Sequence, residues 1–196
     1  MRPDLSIIAN WVTPSSRVLD LACGNGELLH HLEQHKQVQG YGLEIDADNI
    51  TACLACGVDV IEQDLNRGLS NFADGSYDTV IMTQALQVLR RQDLALEEML
   101  RVGREAIVTF PNFAHWRPRF YLAFKGRMPM SKTLPHQWYD TPNIHLFTFK
   151  DFEALCQSKG FRIVDRAVGD MDYEGHWKAH LWPNLFGEVA IYRISR

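Results

Sequence analysis

Long apolar runs are missing from this chain. None approaches the roughly 20 residues that a membrane-spanning helix needs, so no membrane partner is expected. The opening Met1-Arg2-Pro3-Asp4 lacks the apolar centre of a signal peptide. Basic charge is not in excess either: 20 Lys and Arg face 24 Asp and Glu, for a net charge of −4. That balance argues against a dedicated nucleic-acid binder. Cysteine is sparse. The four present, Cys23, Cys53, Cys56 and Cys156, suit a reducing cytoplasmic setting better than a disulfide framework. Internal repeats and low-complexity tracts are absent as well.

Two nucleotide motifs are also incomplete. The stretch Arg17-Val-Leu-Asp-Leu-Ala-Cys-Gly-Asn-Gly-Glu27 has the outline of a buried strand, a small-residue turn and a helix start. A dinucleotide fingerprint needs a third glycine, but Leu29 stands there counting from Gly24, and Glu27 counting from Ala22. A phosphate-binding P-loop needs a Lys after its second glycine, and none follows. What is present is D-x-A-x-G-x-G, with Asp20 at the strand end. An acid there disfavours a pyrophosphate and suits a ligand that carries an ammonium group. Small residues allow close approach to the backbone, and free N–H groups at the helix start face a polar ligand.

With 46% hydrophobic residues in 196, the chain can bury one core, and a single domain over 1–196 is expected. Leu5, Ile7, Ile8, Trp11 and Val12 predict a short helix ending before Pro14, which either covers the edge of the ligand cleft or packs with no ligand contact. Strands are read at 17–22, 38–45, 58–63, 77–83 and 106–111. Helices are read between them at about 26–36, 48–56 and 93–102. This alternation implies a parallel sheet with right-handed crossovers. Glu44 ends the second strand about twenty residues beyond the turn, where an acid meets ribose hydroxyls in doubly wound folds. Asp46 competes for that role but reads better as a cap of the next helix, with Asp48. Asp64 follows the third strand and is placed either to take an adenine amine or to act as a plain cap.

Several tempting sites lack a partner. His31 and His35 have metal spacing but no visible third ligand. Cys53-Leu-Ala-Cys56 has no second pair, so packing is expected. His176 and His180 have the H-x-x-x-H spacing, yet Trp177 replaces the Glu of a metalloprotease. No metal is expected. Between Asn112 and Lys132 lie Arg117, Arg119, Lys125, Arg127 and Lys132 with no acid, interleaved with Phe113, Trp116, Phe120, Tyr121 and Phe124. The Pro-rich part of the 112–146 segment, with Pro129, Pro135 and Pro142, is long for a structureless loop, and such loops are often functional. The 112–146 segment is read as a lid or protein interface, with ordinary packing as the alternative and nucleic acid the least favoured. A helix from Phe149 to Lys159 stopped by Gly160, a sixth strand at 161–168, a loop at 170–186 and a last strand at 187–194 complete the chain.

The glycine turn resembles motif I of the class I S-adenosylmethionine (SAM)-dependent methyltransferases, with Ala22 where that family usually has glycine. This resemblance implies a three-layer, Rossmann-like α/β fold: a mostly parallel seven-stranded sheet whose last strand is antiparallel. The candidate cofactor contacts are Asp20, Ala22, Cys23, Gly24, Asn25, Gly26, Glu44, Ile45, Asp64, Leu65 and Thr83. The cofactor implied is SAM or S-adenosylhomocysteine. After Thr83 the chain reads Gln84-Ala-Leu-Gln87, without the (N/D)-P-P-(Y/F) box of amino-group methyltransferases. Together with the turn, the stretches Gly40–Asp46, Leu96–Arg104, Phe110–Arg117, Gly126–Pro129 and Trp138–His145 resemble the bacterial MetW proteins of methionine biosynthesis. That resemblance implies a homoserine O-acyltransferase as partner. His115, Tyr139 and His145 are candidate acid–base groups near the cleft, but no nucleophile–base pair is legible and no catalytic residue is assigned.

Overall fold

The structure, a computed structural model, describes residues 3–131, 134–169 and 181–196. Lys132, His176 and His180 therefore lie outside the described residues. The helices are α1 (Pro3–Trp11), α2 (Glu27–Lys36), α3 (Ala47–Ala55), α4 (Gln92–Val102), α5 (Trp116–Lys125) and α6 (Phe149–Lys159). The strands are β1 (Arg17–Leu21), β2 (Gln39–Glu44), β3 (Val60–Glu62), β4 (Tyr77–Thr83), β5 (Gly103–Pro111), β6 (Arg162–Gly169) and β7 (Val189–Ser195). They form one sheet in the order β3-β2-β1-β4-β5-β7-β6. Every pairing from β3 through β5 is parallel. β7 runs antiparallel to both neighbours. This is the expected α/β architecture.

Alternation along the strands builds two apolar layers. Leu19, Leu21, Val80 and Met82 face α4 and α6, where Leu96, Met99, Phe149 and Phe152 close one core. Val18, Ile81, Ile107 and Ile191 face the other way, onto Leu5 and Ile8 of α1, Leu28, Leu29 and Leu32 of α2, and Cys53 of α3. Strand order reverses between β1 and β4, so their carboxyl ends part at a switch point.

A third glycine in the turn would normally let helix and strand approach. Here β2 supplies that closeness. A Cβ on Gly40 would sit 2.6 Å from Leu29 Cδ2, and one on Gly42 2.4 Å from Cys23 Sγ.

The 112–146 segment contains a helix, α5, that the sequence pattern did not predict. Pro118 stands in the first turn, where its missing N–H has no helical partner to lose. The expected loop at 170–186 has one helical turn in its described part, Pro183–Phe186. Strand ends shift by a few residues, as terminal ladder bonds fray. Among the described residues, no helix is long and apolar enough to cross a membrane.

Candidate functional site

The turn after β1 is built from alternating left-handed residues: Ala22 at φ 54°, Gly24 at 58° and Gly26 at 77°. The Cys23 N–H continues the sheet ladder to the Leu43 carbonyl at 3.1 Å, and the Gly26 N–H returns to the Cys23 carbonyl at 3.1 Å. Gly26 precedes α2 with no side-chain cap. The Glu27 N–H, first in α2, donates to Asn25 Oδ1 at 3.3 Å, and a helix start is a place where backbone donors attract a polar ligand. Nothing lies within 4 Å of where a Gly24 Cβ would be, so the space over the turn is open.

A cavity of about 280 Å³ stands on this turn at the switch point, lined by Asp20, Ala22, Cys23, Gly24, Asn25 and Thr83 together with Leu5, Glu27 and Leu28. Six of the eleven predicted residues thus meet in one place. Leu5 brings α1 to the cleft edge, the first of the two placements open for this helix. Glu27 and Leu28 were missed, although Glu27 opens the helix after the glycines and so had to face the same space. Asp20 is buried, and it and Glu27 put two carboxylates into the cavity. Carboxylate acceptors suit an ammonium-bearing ligand better than a pyrophosphate.

Glu44 lies behind the turn instead of in the cavity. Its Oε2 accepts the Gly24 N–H at 2.8 Å. Its Oε1 accepts those of Ile45 at 2.8 Å and Asp46 at 3.0 Å. A carboxylate has about four lone-pair sites, so three are spent on shaping the backbone. Ile45 is 62% exposed, and Gly26 supports the cavity without lining it. Asp64 caps the short turn Leu65–Arg67, accepting from the Asn66 backbone at 2.9 Å. Those bonds hold its carboxyl below the usual range. Leu65 lines a separate groove beside Asn66 and Arg90. Asp46 is the cap of α3, accepting from Asp48 and Asn49.

Two cysteine thiols back the turn. Cys53 Sγ donates to the Gly24 carbonyl at 3.2 Å and lies 3.8 Å from Cys23 Sγ. Burial first, then the Asp20 charge, pushes the Cys23 thiol far above its ordinary value. Cys53 thus packs against the turn from behind, while Cys23 also lines the cavity. His31 and His35 stack on each other at 4.2 Å. Among the described residues no group of three potential metal ligands converges.

α5 displays an aromatic stripe. Trp116 and Phe120 meet edge-on at 6.3 Å, Phe120 and Phe124 stack at 5.7 Å, and Phe124 is 78% exposed. Arg117 covers the Trp116 ring at 5.5 Å and pairs with Glu188 at 3.2 Å. His115, at the start of α5, is buried, while Tyr139 is largely exposed. The His145 backbone N–H donates to the Gln87 carbonyl at 3.1 Å.

The family model of the methionine biosynthesis protein MetW matches residues 2–194. The chain belongs to the MetW family. The bifunctional methionine biosynthesis protein MetXA/MetW of Rhodopirellula baltica is 34% identical to it, over 98% of this chain and 32% of that protein. The chain thus spans about a third of the length of that curated relative. Among solved structures, a SAM-dependent methyltransferase from Archaeoglobus fulgidus superposes with a TM-score of 0.70 at 17% identity, covering 98% of this chain and 91% of that one. One from Mesorhizobium loti also reaches 0.70, at 15% identity over 99% and 96%. At such identities these likenesses establish the fold, and chemistry must be argued from the site.

Proposed function

We propose that this MetW-family chain binds SAM, or S-adenosylhomocysteine, in the switch-point cavity and acts in methionine biosynthesis as the activating or regulatory partner of a homoserine O-acyltransferase. One observation carries the partner: in the R. baltica relative, MetXA and MetW share a single polypeptide. The cavity supports the ligand. Its small-residue turn lets an adenosyl group approach, and the Asp20 and Glu27 carboxylates complement its ammonium and sulfonium charges. The exposed stripe Trp116–Phe120–Phe124 supplies an aromatic docking face of the kind enriched at protein interfaces.

The test has two arms. Calorimetry with SAM and S-adenosylhomocysteine reads the cavity. Co-purification with the acyltransferase, and its activity with and without this chain, reads the partnership. Unchanged activity and no complex would remove the partner role even if SAM binds.

A second reading, methyl transfer to a small metabolite, is favoured by the fold. SAM would supply an electrophilic methyl group, and this chain would supply alignment and exclusion of water. Labelled SAM incubated with a cell extract separates the readings: transfer of label favours the enzyme.

A further inference from the structure

The chain as a whole carries net negative charge, yet one groove concentrates cations. It measures about 460 Å³, and Arg119 of α5, Lys150 of α6 and Arg166 of β6 line it together. Glu153 is the one carboxylate among the lining residues, and it is engaged. The Tyr192 hydroxyl donates to it at 2.7 Å, and the Arg166 guanidinium at 2.9 Å. Arg166 is thereby oriented, and it keeps further N–H groups to donate. The Arg119 guanidinium donates to the Asn184 carbonyl at 3.3 Å. Among the described residues, Lys150 and Arg119 have no carboxylate within ion-pair distance.

The remaining lining is apolar. Phe149 lies at its base, buried. Trp182 and Phe186 form one wall with ring centroids 6.3 Å apart. Trp182 is 64% exposed, a large apolar surface left to water beside three cations. The volume falls within the range of small-ligand sites, which pair apolar walls with a few placed polar groups. β6 is four strands from β1, roughly 19 Å at the usual strand spacing. The groove is therefore separate from the switch-point cavity.

We propose that this groove binds a small amphipathic organic anion. Its carboxylate or phosphate head meets Lys150, Arg119 and Arg166, and its short apolar or aromatic body lies over Phe149 and Trp182. Three cations against one neutralised acid repel a cationic ligand. The apolar walls add affinity that a bare inorganic ion cannot use.

Calorimetric titration with hexanoate and hexyl phosphate, with hexylammonium as the charge-reversed control, tests this. Both anions bind saturably and hexylammonium does not. Combining Lys150→Glu with Arg119→Glu weakens the anions by roughly tenfold or more, and Trp182→Ala weakens them while leaving the charge intact. SAM affinity and the melting temperature stay as in the wild type, which shows that the variants are folded and that the cavity reading is tested separately. The head that binds tighter names the source, an acyl carboxylate or a phosphate ester. Three results overturn the proposal: no saturable uptake of either anion up to roughly 10 mM, equal uptake of hexylammonium, or charge-reversed variants that bind like the wild type. An acidic peptide that binds where both small anions fail also overturns it, in favour of a protein partner.

Discussion

Glu44 and Ala22 show how single residues hold the glycine turn. Glu44 accepts three backbone N–H groups, so Glu44→Ala removes the brace of the turn that floors the cavity proposed to hold SAM. SAM affinity falls by ~10–150-fold, about 1.5–3 kcal/mol, and the melting temperature drops with it. Unchanged calorimetric affinity would show that the turn keeps its shape without Glu44. Ala22 has a left-handed backbone at φ 54°, which costs an L residue roughly 1–2 kcal/mol. Glycine relieves that strain but adds about 0.4–1 kcal/mol of unfolded-chain freedom. Ala22→Gly should therefore raise stability by about 0.5 kcal/mol, read as a higher denaturant midpoint. Thiol chemistry divides the four cysteines. Burial raises Cys53 and Cys23, and pushes Cys156 up to about 12. Cys56 alone is partly exposed. A disulfide reagent near pH 8 should modify one thiol quickly in the native protein and all four after unfolding.

Elements are where sequence reading succeeded most and failed most instructively. The strand–turn–helix at 17–36 was legible because hydrophobic runs, glycines and a helical pattern agree there. α5 was not, because Pro118 and the run of cations obscure its period, and its apolar stripe faces outward instead of into a core. Glu44's true contacts were hidden too: residue spacing places an acid at a strand end but does not reveal which N–H groups it meets. Arg101 is a further case. Its guanidinium donates to Glu98 through two nitrogens, to Asp74 and to the carbonyls of Phe72 and Leu69. Every N–H is used, pinning the 69–75 linker to α4. Arg101→Lys cannot reproduce the fork and should cost about 2 kcal/mol. The hydrogen bond from Arg101 holds the Glu98 carboxyl below its usual range. Its contribution is present above the unfolded carboxylate value near ~4.3. It is lost as pH falls through the lowered native value, so the stability gap between wild type and Arg101→Lys narrows in acid. A gap constant from neutral to strongly acidic pH would show that the ion pair is idle.

For the molecule as a whole, the cavity and the aromatic stripe stand apart on one scaffold, so they should be separable. On the proposed function, Phe120→Glu with Phe124→Glu should weaken association with the proposed acyltransferase partner by roughly tenfold or more and leave the proposed SAM binding unchanged, since neither side chain lines the cavity. Loss of both functions in a folded variant would mean that the stripe is structural. The position of β7 has another consequence. Val189–Ser195 lies between β5 and β6 and is hydrogen-bonded on both sides. During synthesis, β5 and β6 therefore wait for a wedge that leaves the ribosome after both of them. Until residue 195 emerges, two flanks with exposed N–H and C=O groups face water, open to mispairing. A chain ending at Glu188 should aggregate or melt without cooperativity, and supplying 189–195 as a separate peptide should restore a sharp transition.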